Sequence, residues 1–339
     1  MNVFRSAKTI LPGLKANRGA TFFAFNLLLA FLLLLVKDPW GCFQDTYSNS
    51  DPFFPLKESD IARIKVGRKG EIVSLSRTLD SWEVALPDGT TGPGDSERIV
   101  ELLKAAVSLR KFTLLVRNST FPSPEFGLSE DEPSLEIFDT SGKSTGILFI
   151  GSSAPRNSGV YVSEPEGRNI WLVKENLKTL IGNGRKDYFL SHSLFPDRFS
   201  YGKIRSLKIE FPSDPKKGFS LTSADNGWIL STNLFSKSVE QNTVNDFLEK
   251  LLGFKADEIS LVARESLPLA PQEKFQIRLD TDSGTKILSP FGKDRQGSWI
   301  FRLSGMKYEL IVDPWTMETI LDKDLADFTS SPSVKNPVP

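Results

Sequence analysis

Four short stretches of this 339-residue chain carry residue types at spacings that chemistry uses. Gly142-Lys143-Ser144-Thr145-Gly146 satisfies G-x-S-x-G, the elbow that exposes a hydrolase nucleophile, and ends like the G-K-S of a phosphate loop. The elbow needs a helix after its serine, but Ile147-Leu-Phe-Ile150 reads as a strand. The phosphate loop needs a glycine five residues before Gly142, where Ile137 stands. A hairpin turn is what remains. Asp280-Thr-Asp282-Ser-Gly284 opens like a calcium loop, but the bidentate Glu such a loop requires falls on Phe291. His192, the sole imidazole, has Ser and Asp neighbours between Asp187 and Asp197. Adjacency along the chain is not a triad, which is assembled in space, so a surface or hydrogen-bonded structural histidine is expected. Ser108-Leu-Arg-Lys111 fits S-x-x-K without the companion S-D-N or K-T-G motifs. No catalytic, cofactor-binding or metal-binding residue is assigned, no cofactor is expected, and the chain reads as a non-enzyme.

Composition narrows the classes further. Lys+Arg and Asp+Glu balance at 42 each, so no whole-protein attraction draws the chain to nucleic acid. One Cys forbids an internal disulfide framework, and one His forbids a two-histidine metal motif. The basic clusters at residues 63–69 and Arg110-Lys111 are interrupted by strand alternation and read as solvated strand faces. Trp82 and Trp228 have the shape to stack on a sugar or peptide, but equivalent tryptophans entering equivalent strands are expected to anchor cores.

The elements that position these residues begin with an uncharged, Leu/Phe/Ala-rich run at residues 21–36. As a helix it spans about 24 Å, slightly short of the roughly 30 Å hydrocarbon core, with Lys37 and Trp40 placed to extend its reach. Residues 1–20 hold four basic side chains and no acid; residues 37–60 hold two Lys and five acids. That asymmetry predicts a single-pass membrane anchor, N-terminus in the cytoplasm and the remainder outside it. No small-residue cleavage site follows the run. Acylation at Cys42 after Gly41 is the alternative to a retained anchor. Residues 37–57 are polar and proline-broken and read as a linker.

Beyond it the chain answers itself at an offset drifting between 140 and 146 residues. Ile61-x-x-Ile64-x-Val66 answers Ile204-x-x-Leu207-x-Ile209, and Trp82-Glu-Val84 answers Trp228-Ile-Leu230. Ile99, Leu102, Leu103 and Ala106 answer Val244, Phe247, Leu248 and Leu251, and Ile150-Gly151 answers Phe291-Gly292. The expected fold is α+β: an N-terminal transmembrane helix, then two tandem modules of antiparallel sheet plus helices at 58–184 and 204–324. A joint at 185–203 links them, and a disordered tail fills 325–339. Asp95 is the expected N-cap of the first helix; Ser238-x-x-Gln241 reads as a capping box for the second, which Gly253 closes.

The opening strand, the Trp-x-Val strand, the amphipathic helix, Glu125-Phe-Gly-Leu128 before Pro133-Ser-Leu-Glu-Ile137, Ile150-Gly151 and Val160-Tyr161-Val162 carry a resemblance. The chain resembles the bacterial membrane-anchored domain of unknown function 4340 family, often encoded beside gliding-motility-type ABC transporter permease and auxiliary components. The resemblance supplies no catalytic residues and implies a transporter partner. The expectation is a non-enzymatic accessory or binding subunit of an ABC-type transport assembly, with an envelope binder of glycan or peptide as the alternative.

Overall fold

The computed structural model describes residues 25–29, 50–79, 81–165, 169–196, 198, 201–225 and 227–321. Met1–Ser50 and Asp51–Pro339 are separate units; in the first, residues 25–29 are helical with Phe25 and Leu27 exposed.

Alternation of apolar and polar side chains builds the first sheet. β1 (Ile61–Arg68) buries Ile61 and Ile64, three positions apart, because a register shift between Ile61 and Arg63 resets the alternation. β2 (Glu71–Arg77) and β3 (Trp82–Ala85) turn Val73, Leu75, Trp82 and Val84 to the same face, and β4 (Thr91–Pro93) forms the edge. On the other side of β1 lie, in order, β6 (Ser134–Asp139), β7 (Ser144–Ser153), β8 (Val160–Ser163), β9 (Ile170–Val173) and β5 (Thr113–Val116). α1 (Ser96–Ser108) buries Ile99, Leu102, Leu103 and Ala106 at helical spacing. Each large aliphatic side chain so buried contributes about 1.5–3 kcal/mol. A single turn, α2 (Leu177–Leu180), closes the half.

The second half repeats the plan with one break. β10 (Ile204–Glu210), β11 (Phe219–Ala224), β12 (Gly227–Ser231), β13 (Ser236–Val239), β15 (Gln276–Thr281) and β16 (Gly284–Leu288) form a sheet of order β13-β12-β11-β10-β15-β16, the counterpart of β4-β3-β2-β1-β6-β7. β10 even carries the same register shift, between Ile204 and Ser206. α3 (Gln241–Gly253) lies between β13 and β14 (Glu258–Ser260). β14 joins β17 (Gly292–Lys293), β18 (Trp299–Phe301) and β19 (Glu309–Val312) in a separate sheet, β14-β19-β18-β17, the counterpart of β5-β9-β8-β7; α4 (Pro314–Leu321) follows. β7 runs unbroken where the second half has two strands, β16 and β17. Pro290 stands between them, at the position of Phe149 in β7, and has no N–H for a ladder.

The expected α+β class behind an N-terminal transmembrane helix is therefore corrected. The described residues hold nineteen strands in three antiparallel sheets and only five α-helical segments, residues 25–29 included. Among them no helix is long and apolar enough to cross a membrane. Most of the run at 21–36, Cys42 and the tail from 322 onward lie outside the described residues. Each helix was readable locally, but the short strands between turns outnumber them. Phe189, Leu190, Leu194 and Phe195 of the joint enter one apolar cluster to which both halves contribute. The segment read as a linker to residue 57 already packs, with Phe53 and Phe54 buried and Phe53 N–H bonded to the Leu109 carbonyl at 3.2 Å.

The caps separate. Asp95 Oδ1 accepts from the N–H groups of Glu97 and Arg98 at 3.1 and 3.3 Å, as expected of an N-cap. The Ser238 box does not form: Ser238 pairs with Ile229 in β13, and the cap position falls on Glu240, whose side chain caps nothing. Asp95→Ala is expected to cost about 1 kcal/mol in a denaturant melt, and Ser238→Ala no more than about 0.5 kcal/mol. Equal losses would show the caps misassigned.

Candidate functional site

The residues singled out in the sequence are scattered and structurally engaged. Ser144 begins β7 just after a turn organised by Asp139, whose Oδ1 accepts from Ser141 N–H, Ser141 Oγ–H and Lys143 N–H at 2.9, 2.6 and 3.0 Å. Those bonds, the Ser141 hydroxyl first, hold the Asp139 carboxyl below its ordinary range. Gly142 completes the turn at φ +81°, which a β-carbon would strain. In the matching hairpin Asp280 accepts from Thr285 and Ser206 hydroxyls, and Asp282 pairs with Arg205. Among the described residues no group of three His, Cys, Asp or Glu is arranged to hold a metal. Ser108 bonds back to the Ala105 carbonyl, while Lys111 pairs with Glu164. Arg63 and Lys65 lie over the Phe138 ring at 4.5 and 4.7 Å. Trp82 and Trp228 are core, 6 % and 4 % exposed.

His192 sits where the halves meet. Its backbone carbonyl accepts from Ala256 N–H at 2.7 Å, and its Nδ1 lies 3.1 Å from the Ala256 carbonyl. An acceptor facing Nδ1 makes it the protonated nitrogen. Burial pushes this imidazole below its ordinary value. No hydrogen bond or ion pair links His192 to Ser144.

A hollow lies elsewhere, at the β10–β11 end of the second half. It encloses about 430 Å³, floored by Ile209 and Phe219 and walled by Phe211, Pro212, Pro215 and Asn233. Asn233 Nδ2 donates to the Pro215 carbonyl at 3.0 Å, fixing one wall, and Phe211 faces Phe275 at 6.4 Å. Register identifies its counterpart: Ile209 pairs with Phe219 as Val66 pairs with Val73. Over Val66 and Val73 the chain's own residues 181–186 form the wall of a smaller hollow of about 280 Å³. Arg68 Nη1 donates there to the Asn183 carbonyl at 3.2 Å, and Lys186 Nζ meets Glu71 at 2.6 Å. Six residues separate Val66 from Val73, but nine separate Ile209 from Phe219. The insertion brings Pro212 and Pro215 and builds the groove. Its signal was present in the drifting offset of the repeat, which locates three extra residues here.

Ser144→Ala is expected to change stability by no more than about 0.5 kcal/mol, and a fluorophosphonate probe to leave Ser144 unlabelled. Labelling at Ser144 that disappears in His192→Ala would reinstate a hydrolase.

No curated protein matches the chain. A family model described as "Domain of unknown function (DUF4340)" matches residues 82–281, from β3 through the end of β15. That span covers more than half of the chain and crosses both halves and the joint, and the chain belongs to the DUF4340 family.

Proposed function

We propose that the chain is a non-enzymatic accessory subunit of an ABC-type transport assembly of the cell envelope, docking an acidic polypeptide segment of that assembly in the groove over Ile209 and Phe219. The observation that carries the reading is internal. Where the first half presents the same floor, a stretch of polypeptide lies against it; the second half widens the site to about 430 Å³. That volume falls within the roughly 300–1,000 Å³ usual for binding sites. Charge selects the occupant. Glu71, two residues before Val73, receives Lys186; two residues before Phe219 stands the exposed Lys217, with Lys216 beside it. Within the lining Lys208 and Glu210 pair with each other at 2.6 Å, so the charge beside the groove is that of Lys216 and Lys217. A segment with an apolar anchor for Phe211 and Phe219 and a carboxylate for Lys217 complements it. The transport setting, outside the cytoplasm, rests on the family resemblance and on the basic-to-acidic change across residues 21–36.

A photo-crosslinker at Asn233 of the full chain, in its own membranes, tests the proposal. The expected product joins Asn233 to an acidic stretch of a transporter permease or auxiliary protein and is lost in Phe211→Asp. Lys217→Glu is expected to weaken the same contact at least about tenfold, near 1.4 kcal/mol. A product with the chain's own residues 322–339, a product with a glycan, or equal yield in Phe211→Asp would each overturn it.

A further inference from the structure

The edge of β13, the exposed Leu234 and Phe235 beside it, and the basic rim near Arg68 give no indication of what would cover them. His192 differs, because one of its atoms is out of place for a structural residue. Its Nε2 is buried without a hydrogen-bond partner among the described residues. A neutral imidazole tolerates that, since Nε2 then carries a lone pair; an imidazolium would bury an N–H donor and a charge with no acceptor.

The position makes the imbalance consequential. Residues 189–194 run as an irregular strand bonded on both sides. Toward the first half, Ser191 N–H donates to the Pro93 carbonyl at 2.8 Å and Asp95 N–H to the Phe189 carbonyl at 2.7 Å. Toward the second, Ala256 N–H donates to the His192 carbonyl at 2.7 Å and Leu194 N–H to the Phe254 carbonyl at 3.1 Å. Glu97 and Lys255 add an ion pair across the joint at 2.8 Å. We propose that His192 is an acid-sensitive latch: protonation at Nε2 releases residues 191–194 from 254–256 and loosens the contact between the two halves.

Charged groups reach the ring from α1 and from the joint. Burial disfavours the imidazolium most; the Ala256 carbonyl favours it, the Arg98 guanidinium on α1 opposes it, and Asp95 and Asp187 favour it weakly. From the second half the ring meets the neutral Ala256 carbonyl, and Tyr308 contributes a hydroxyl 3.3 Å from the Ser191 carbonyl. Asp187 is itself desolvated yet held below its ordinary range by Arg185 at 2.7 Å, so its charge is already committed. The sum leaves the closed joint binding its proton less tightly than an open one. Stability of the joint is therefore complete above the ordinary imidazole value near 6.5 and is lost as pH falls through it toward the lower native value. Each unit between the two values is worth about tenfold in opening at acid pH. The latch stands independently of the groove.

The chain holds one His, so its imidazole signals in a nitrogen-resolved NMR spectrum need no assignment. The full chain should show the Nδ1–H tautomer at neutral pH and titrate below free histidine. Between about pH 7.5 and 5, hydrogen exchange corrected for intrinsic rates should rise at least about tenfold at residues 191–194 and 254–256, but not in β1 and β2. His192→Asn keeps a donor for the Ala256 carbonyl and cannot titrate, and its exchange should stay flat. If that variant fails to fold, the wild-type comparison of joint with β1 and β2 decides alone. An Nε2–H tautomer, an ordinary titration with unchanged protection, or the same pH profile in His192→Asn would overturn the latch.

Discussion

An edge strand must pair its outward N–H and C=O groups with something, and in this fold that constraint falls hardest on β4. Thr91-Gly92-Pro93-Gly94 is shaped for it. Pro93 offers no N–H, so only its carbonyl needs a partner, and Ser191 supplies one. A β-carbon on Gly92 would run into the Tyr308 ring, so only glycine lets the second half close over the edge. One backbone segment, residues 189–194, thus completes the first sheet, fills the core with Phe189 and Leu190, and ties in the second half. The matching strand β13 meets the constraint differently. Lys237, at the place of Gly92, shares a face with the buried Leu230 opposite it. Lys237 is exposed, and a lysine on an edge strand discourages another strand from adding there.

The two halves show what divergence can change without losing the plan. The paired cores at Ile64 and Leu207, Leu75 and Leu221, and Val84 and Leu230 are all fully buried. Change accumulates where the ladder permits it: at Pro290, which divides one sheet into two, and at the β10–β11 loop, whose extra residues build the groove. Both lie at strand ends, where an insertion costs loop entropy and no core contact.

How much of this was legible in the sequence depended on range. Asp95 was readable because a cap is satisfied within three residues, and Ser144 because its turn is closed by Asp139 five positions back. Trp82 and Trp228 declared themselves through equivalent places in the repeat. Ser238 misled because the capping pattern is equally local, while the pairing of Ser238 with Ile229 that overrides it depends on a neighbouring strand. Phe53 and Phe54 sat in a polar, proline-broken stretch, and the partners of Phe53 are distant in sequence: the Leu109 carbonyl bonds its N–H and Trp171 meets its ring edge-on at 6.1 Å. The three-residue insertion was visible as a drifting offset, but its meaning depends on which hairpin end it widens.

The halves also solve one packing problem with opposite chemistry. Each sends a loop across its last strands. In the first, Phe121 lies 4.8 Å from Phe149 and Phe126 packs edge-on against Tyr161 at 5.1 Å, so aromatic contact holds the crossing. In the second, Glu309, 4 % exposed, accepts from Arg264 N–H at 2.8 Å and pairs with Arg302 at 2.6 Å; Arg264 also reaches Glu258 and Asp294. Buried charges must recover their desolvation through every available bond, and here Glu309 and Asp294 each take more than one. Arg302 stacks 3.5 Å over Phe291, the residue answering the fully buried Ile150, and Phe291 remains 48 % exposed. Dividing the sheet at Pro290 is what uncovers that position, and an arginine pinned by a buried glutamate is what covers it. The half that carries the groove is closed by ion pairs, and it meets its neighbour through the chain's only imidazole.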